Sequence, residues 1–267
     1  MDRPYRRAAL LAWAEAHAYR ADALGTAVLF WAPVALSALL WSAAEAAGAR
    51  GMHGYTFPQL VTYFALTVLM GAPDAYGGGG VDRRVSHEIA TGEVRRYLIQ
   101  PLHPAAFRLA HAAAGRAAKV AQALPAALLL ALLLQRDLVL PGVRHALLFA
   151  AAAVLGFALE FLIQFLIGLT AFWLGETVIF GIAGQVLALL GGALFPLDLL
   201  PRWAAGALRW LPFPYTVFFP LETFLGRVPP EQAAWGLALQ VGWLAVLAAL
   251  TSLVWARGVA RYEAYGG

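Results

Sequence analysis

The stretch ALLFAAAAVLGFALEFLIQFLIGLTAFWL, Ala146 to Leu174, decides the fold of this chain, and one ionisable side chain, Glu160, interrupts it. A helix needs about 20 apolar residues to cross a hydrocarbon layer roughly 30 Å thick, and this run exceeds that. In lipid a backbone must satisfy its own hydrogen bonds, so a run of this kind spans as a helix. Working outward, five further runs share its character: Ala23 to Ala44, Gly54 to Pro73, Val120 to Gln135, Thr177 to Leu197 and Gln232 to Trp255. Val120 to Gln135 is short and holds Pro125, so the span recruits Ala112 to Lys119 and lets Lys119 snorkel toward the headgroups.

Composition points the same way. The 267 residues are 61% hydrophobic and 13% charged, with mean hydropathy +0.69. Soluble domains carry about a quarter charged residues, and one of this size could not hide so much apolar surface. The absence of cysteine excludes disulfides and thiolate metal sites, and no histidine stands four residues from a carboxylate in a metal-cage pattern. The net charge of +4 and pI near 9.6 fit arginines in cytoplasmic loops facing anionic lipid, not nucleic-acid binding.

Orientation follows from the cations. With the N-terminus inside, Arg3, Arg6, Arg7, Arg20, Arg83, Arg84, Arg95, Arg96, Arg108, Arg116, Lys119, Arg257 and Arg261 are cytoplasmic, and Arg50, Arg136, Arg144, Arg202, Arg209 and Arg227 are outside. That asymmetry predicts both termini in the cytoplasm. Met1 to Arg20 does not read as a cleaved signal, since it is charged and the first apolar run after it is a full span. Residues 1–21 read instead as a helix on the cytoplasmic membrane surface, although Arg6 and Trp13, seven apart, share a face. Val81, Val85 and Ile89 recur every four residues before Gly92, which predicts a short amphipathic cytoplasmic helix. Leu199 to Arg227 is broken by Pro201, Pro212, Pro214 and Pro220 yet rich in aromatics. It reads as a helical element at the outer interface or re-entrant into it.

No GxxxxGK[ST] loop occurs, and the sole lysine, Lys119, has no such context. Gly77 to Gly80 lacks the Lys and Ser/Thr of a phosphate cradle and follows a span, so it reads as a hinge. HExxH, GxSxG and paired intramembrane aspartates are also missing, so catalysis in this chain is not expected.

Four stretches carry a family resemblance: AYRAD (Ala18 to Asp22), HEIATGEVRRYLIQPLHP (His87 to Pro104), GGALFPLDLLPRWAAGALRWLPFPYTVFFPLETFLG (Gly191 to Gly226) and RGVARYEAYGG (Arg257 to Gly267). Together they resemble one branch of the ABC type-2 transporter permeases, whose substrates are poorly characterised. The resemblance implies an all-α integral membrane permease in a single domain, 1–267. It would have six transmembrane helices, an interfacial helix at 1–21, a cytoplasmic coupling segment at 81–110 and an outer re-entrant segment at 198–228. It further implies a dimer with an identical or related second permease in the inner (plasma) membrane, exporting an amphipathic or lipid-like substrate. Separate cytoplasmic ATPase subunits would carry ATP and Mg, and this chain would hold no cofactor. A non-transporting scaffold for an ATPase complex is the alternative, and a passive channel lacks a filter motif.

The resemblance places an ATPase contact at Glu93, Arg95 and Arg96, just past Gly92; a solvated charged loop is the bland reading. Arg84 and Glu88 join the coupling set and, four apart, read as a local helix pair. Glu176 favours the start of span five. Glu160, costly in lipid by about 2.5 to 3.5 kcal/mol, must face protein or water, and Gln164 shares its face one turn on. These two line a path or make an inter-helix hydrogen bond. Trp203, Trp210, Phe213, Tyr215, Phe218 and Phe219 either line an exit route or anchor the outer interface.

Overall fold

Every regular element among the described residues is helical. The computed structural model describes residues 54–71, 80–95, 104–133, 138–175 and 179–266, with isolated helical positions at 10, 11, 13, 14, 32, 34–36 and 39–43. Most of the expected surface helix at 1–21, much of the first span, Gly77 to Gly79, Arg96 and Glu176 lie outside the described residues.

Helix α1, Phe57–Leu69, starts with a capping box in which Thr56 and Gln59 each satisfy the other's backbone N–H. Helix α2, Val81–Ala90, has Gly80 as its N-cap and stops at Gly92, whose φ of +79° suits glycine alone among ordinary residues. Helix α3, Pro104–Leu133, opens on proline and runs unbroken through Pro125. Helix α4, Val143–Leu169, is prolonged by one further turn, Ala171–Leu174. Helix α5, Ile179–Gly191, precedes two 3-10 turns, Leu197–Leu199 and Phe213–Tyr215, interleaved with the short helices α6, Arg202–Leu208, and α7, Phe218–Phe224. Four prolines cut this segment into pieces too short to span. Helix α8, Pro230–Gly266, is 37 residues long, about 55 Å at 1.5 Å per residue.

Helix α4 is the hub. Its second half packs Phe161, Phe165 and Leu169 on Val85, Ile89 and Val94, the apolar stripe of α2 and its exit. Its first half, through Ala152, Leu159 and Ile163, packs on Tyr215 and Phe219 of the broken segment and on Leu247 of α8. A third cluster joins Tyr55, Leu60, Tyr63 and Phe64 around α1 to Val217, Leu221 and Leu225. Glycines let backbones close in: a Cβ on Gly168 would sit 2.7 Å from the Val85 Cβ, and one on Gly156 would sit 2.6 Å from the Thr216 carbonyl oxygen. So α2 and the broken segment are held at opposite ends of one helix.

Two helices, Val143–Leu174 of 32 residues and Pro230–Tyr262 of 33, are long and apolar enough to cross a membrane. Shorter apolar helices lie at Phe57–Leu69, Ile182–Gly191 and 34–43. Their outer faces are greasy: Leu124, Leu128, Leu129 and Leu132 of α3, Leu147 and Val154 of α4, and Val241, Leu250 and Leu253 of α8 are exposed. Water would penalise each such side chain by roughly 1.5 to 3 kcal/mol, whereas lipid tails do not.

Candidate functional site

The site is assembled where α2 meets α3 and α4, with the end of α1 reached through Arg116. Val85 and Ile89 bury one face of α2, which leaves Arg83, Arg84 and His87 on the open face. Burying that valine and isoleucine is worth about 4 kcal/mol, enough to seat a ten-residue helix that would not hold alone. Glu88, half-buried, pairs with Arg108 of α3, and Arg84 Nη1 lies 3.3 Å from His111 Nε2 on the same helix. Burial, with Arg84 adding repulsion, pushes the Arg108 guanidinium down to about 10. Asp82 in the first turn is buried, and desolvation raises its carboxyl above the usual range, against backbone donors that pull it down.

Behind α2 runs a continuous polar chain. The Val81 N–H donates to Gln164 Oε1 at 2.9 Å, and Gln164 Nε2 donates to Glu160 Oε1 at 3.1 Å. Glu160 Oε2 accepts from Arg116 Nη2 at 3.0 Å, and Arg116 Nη1 donates to the Met70 carbonyl that ends α1. The Arg116 guanidinium also lies 5.0 Å from the Phe157 ring centroid. The chain therefore begins at the first amide of α2 and finishes at the last turn of α1, through α3 and α4.

At the far end of α1 a second polar cluster forms. Tyr55 Oη donates to Glu222 Oε1 at 2.7 Å, and Arg227 Nε donates to Glu222 Oε2 at 2.8 Å. Arg227 also donates to the Gly54 carbonyl at 2.8 Å, lies 3.6 Å from Asp198 Oδ2 and stacks 3.7 Å from the Tyr55 ring centroid. Burial raises the Glu222 carboxyl above its usual range, with Tyr55 and Arg227 opposing.

The structure sorts the residues singled out from the sequence. Glu160 and Gln164 share a face and join the polar chain that ends on α2, and each has protein partners. Glu88 reaches across to Arg108, an inter-helix pair that the sequence did not announce, because burial of Val85 and Ile89 turns that side of α2 toward α3. Glu93 and Arg95 are exposed beyond Gly92, and Arg95 sits 5.8 Å over the Tyr262 ring of α8; Arg96 lies outside the described residues. Trp203 and Trp210 are 79% and 74% exposed, whereas Tyr215 is buried and Phe213 packs beside it, so the aromatics divide into an outward and an inward set. Sequence reasoning missed Tyr55, Asp198, Glu222, Arg227, Arg108, His111 and the role of Arg116. Asp198 and Glu222 are the only acids in 198–228, and such charges in an aromatic segment demand a partner.

The chain matches the model of the ABC-2 family transporter proteins over residues 31–266. The chain belongs to the ABC-2 transporter family. This ABC-2 chain is thus a transmembrane permease component of an ABC transporter, a transport part and not itself a catalyst. No curated protein and no solved structure matches it.

Proposed function

We propose that this chain is the membrane half of an ATP-driven exporter. In this reading six spans, with both termini in the cytoplasm of the inner (plasma) membrane, pair with an identical or related permease. Two separate cytoplasmic ATPase subunits, which carry ATP and Mg, drive an amphipathic or lipid-like substrate outward. The observation that carries the reading is α2: a ten-residue amphipathic helix, outside the long apolar helices, with its apolar stripe locked on α4 and its cations exposed. Such a helix offers a rigid charged ledge to a soluble partner and a packed face to the spans. Glu93 and Arg95, exposed at its exit, extend the ledge, and Glu88 is half-buried along its side. Trp203 and Trp210 suit anchoring at the outer interface, while Phe213 and Tyr215 are the better candidates for lining an inner route.

The test is co-purification and vesicle hydrolysis. The chain alone should hydrolyse no ATP, and a complex with its ATPase subunit should; Glu93→Ala with Arg95→Ala should weaken recruitment while leaving the fold intact. Robust hydrolysis by the isolated chain refutes the division of labour. Recruitment of an ATPase without any nucleotide-driven change in the permease supports a scaffold instead.

A further inference from the structure

We infer that Gln164, oriented by Glu160 and Arg116, is the positioning residue that ties the ATPase-facing helix α2 to the spans. The inference deepens the permease reading and rests on it. Helix α2 has no side chain of its own at the N-cap, because Gly80 stands there and makes no capping bond. The Val81 N–H is one of the orphan donors that every helix start must satisfy. Here the acceptor comes from another helix: Gln164 of α4 takes that bond at 2.9 Å and is itself 5% exposed. A capping residue normally belongs to the helix that it caps. Placing it on α4 means that α2 cannot shift along its axis or tilt away without breaking a bond to a span.

Gln164 is in turn held from behind. Its amide donates to Glu160, which leaves the amide oxygen facing Val81, so the orientation of the side chain is set by its neighbour. Glu160 is held by Arg116, and Arg116 by the carbonyl of Met70. Each link has one donor and one acceptor, and the donors converge on Glu160, whose two carboxylate oxygens accept from Arg116 on one side and from Gln164 on the other. The links join four helices, α1, α3, α4 and α2, while hydrophobic packing of α2 engages α4 chiefly. Helix α3 also meets α2 directly through Glu88 and Arg108, so it is α1 that a push on α2 reaches through this chain. Cooperative strengthening along such a chain, away from water, gives it more stiffness than isolated surface bonds would have.

The experiment uses the intact complex of the chain with its co-purifying ATPase in lipid vesicles. The chain has no cysteine, so a pair of nitroxides can be placed at Arg83 on α2 and Thr56 at the far end of α1, both exposed. Pulsed electron resonance measures their separation with and without ATP and vanadate. Three forms are compared: the parent, Gln164→Met, and the exchange Glu160→Gln with Gln164→Glu. The exchange keeps every donor and acceptor in order, since Gln at 160 accepts from Arg116 and donates to Glu at 164, which accepts from Val81. Loss of one capping bond shifts a seated helix by about fivefold in population. Gln164→Met should therefore bind the ATPase within a factor of about two, yet lose most of the vanadate-dependent distance change and at least about fivefold in the response of hydrolysis to the permease. The exchange variant should recover both. A normal distance change in Gln164→Met overturns the inference, and so does an exchange variant that behaves like Gln164→Met while folding and binding ATPase. If the parent recruits no ATPase, the proposed ATP-driven exporter reading fails, a result distinct from either.

Discussion

Arg227→Met removes the hub of the cluster at the outer end of α1 and leaves its stem in place. The guanidinium makes a 2.8 Å bond to Glu222, another to the Gly54 carbonyl, a 3.6 Å approach to Asp198 and a 3.7 Å stack on Tyr55. The Glu222 side chain is 6% exposed and that of Arg227 is 20% exposed. Removing one member of a fully buried pair costs about 3 to 5 kcal/mol, because the other charge is orphaned. The partial exposure of Arg227, and the bond that Tyr55 still gives Glu222, place this site at the low end, about 3 kcal/mol. At roughly 2 to 4 °C per kcal/mol for a chain of this size, detergent-solubilised protein should melt about 8 °C lower. Tryptophan fluorescence reads that transition. Glu222→Gln, combined with Arg227→Met, should cost less than the sum of the two single changes by about 2 kcal/mol, since no orphan carboxylate remains. Strict additivity, or a shift below about 2 °C for Arg227→Met, refutes the reasoning.

Acidity offers a related test. Burial raises the folded Glu222 carboxyl above its ordinary 4.5, so the folded state holds its proton more tightly than the unfolded chain does. The stability it contributes is full below about 4.5 and lost as pH rises through the raised value; the parent should gain on Glu222→Gln as pH falls through that window, and a gain in the opposite direction contradicts the burial argument. Gly168→Val sets a side chain against Val85 and the Asp82 carbonyl, where even a Cβ would meet them at 2.7 and 2.8 Å. Overpacking of about 1 to 3 kcal/mol should unseat α2 and cut ATPase co-purification about tenfold, and unchanged recovery argues against α2 as the docking ledge. Gly156→Ala puts a methyl 2.6 Å from the Thr216 carbonyl, so it should displace the broken segment and lower melting, with Gln240 losing its bonds to Ala152 and Tyr215; unaltered melting would mean that the segment relaxes freely. Single cysteines at Arg83 and Trp203, both exposed, should label from the inside and the outside of intact cells respectively, and the reverse pattern inverts the topology.

Hydropathy alone announced the apolar runs, since crossing lipid constrains every residue along a local stretch. The period-four stripe Val81, Val85, Ile89 ahead of Gly92 likewise announced α2, because helical periodicity and a stop are properties of neighbours in sequence. The same locality put Glu160 and Gln164 on one face, as the structure shows. Their partners were not legible. A buried polar group takes whichever donor the packing of other helices brings, so Arg116 reaches Glu160 from 44 positions away and Gln164 reaches Val81 from 83. Tyr55 and Glu222, 167 positions apart, meet only because the broken segment folds back on the start of α1. The sequence by itself determined which residues leave water; the tertiary structure alone decided which charges, once removed from water, would face one another.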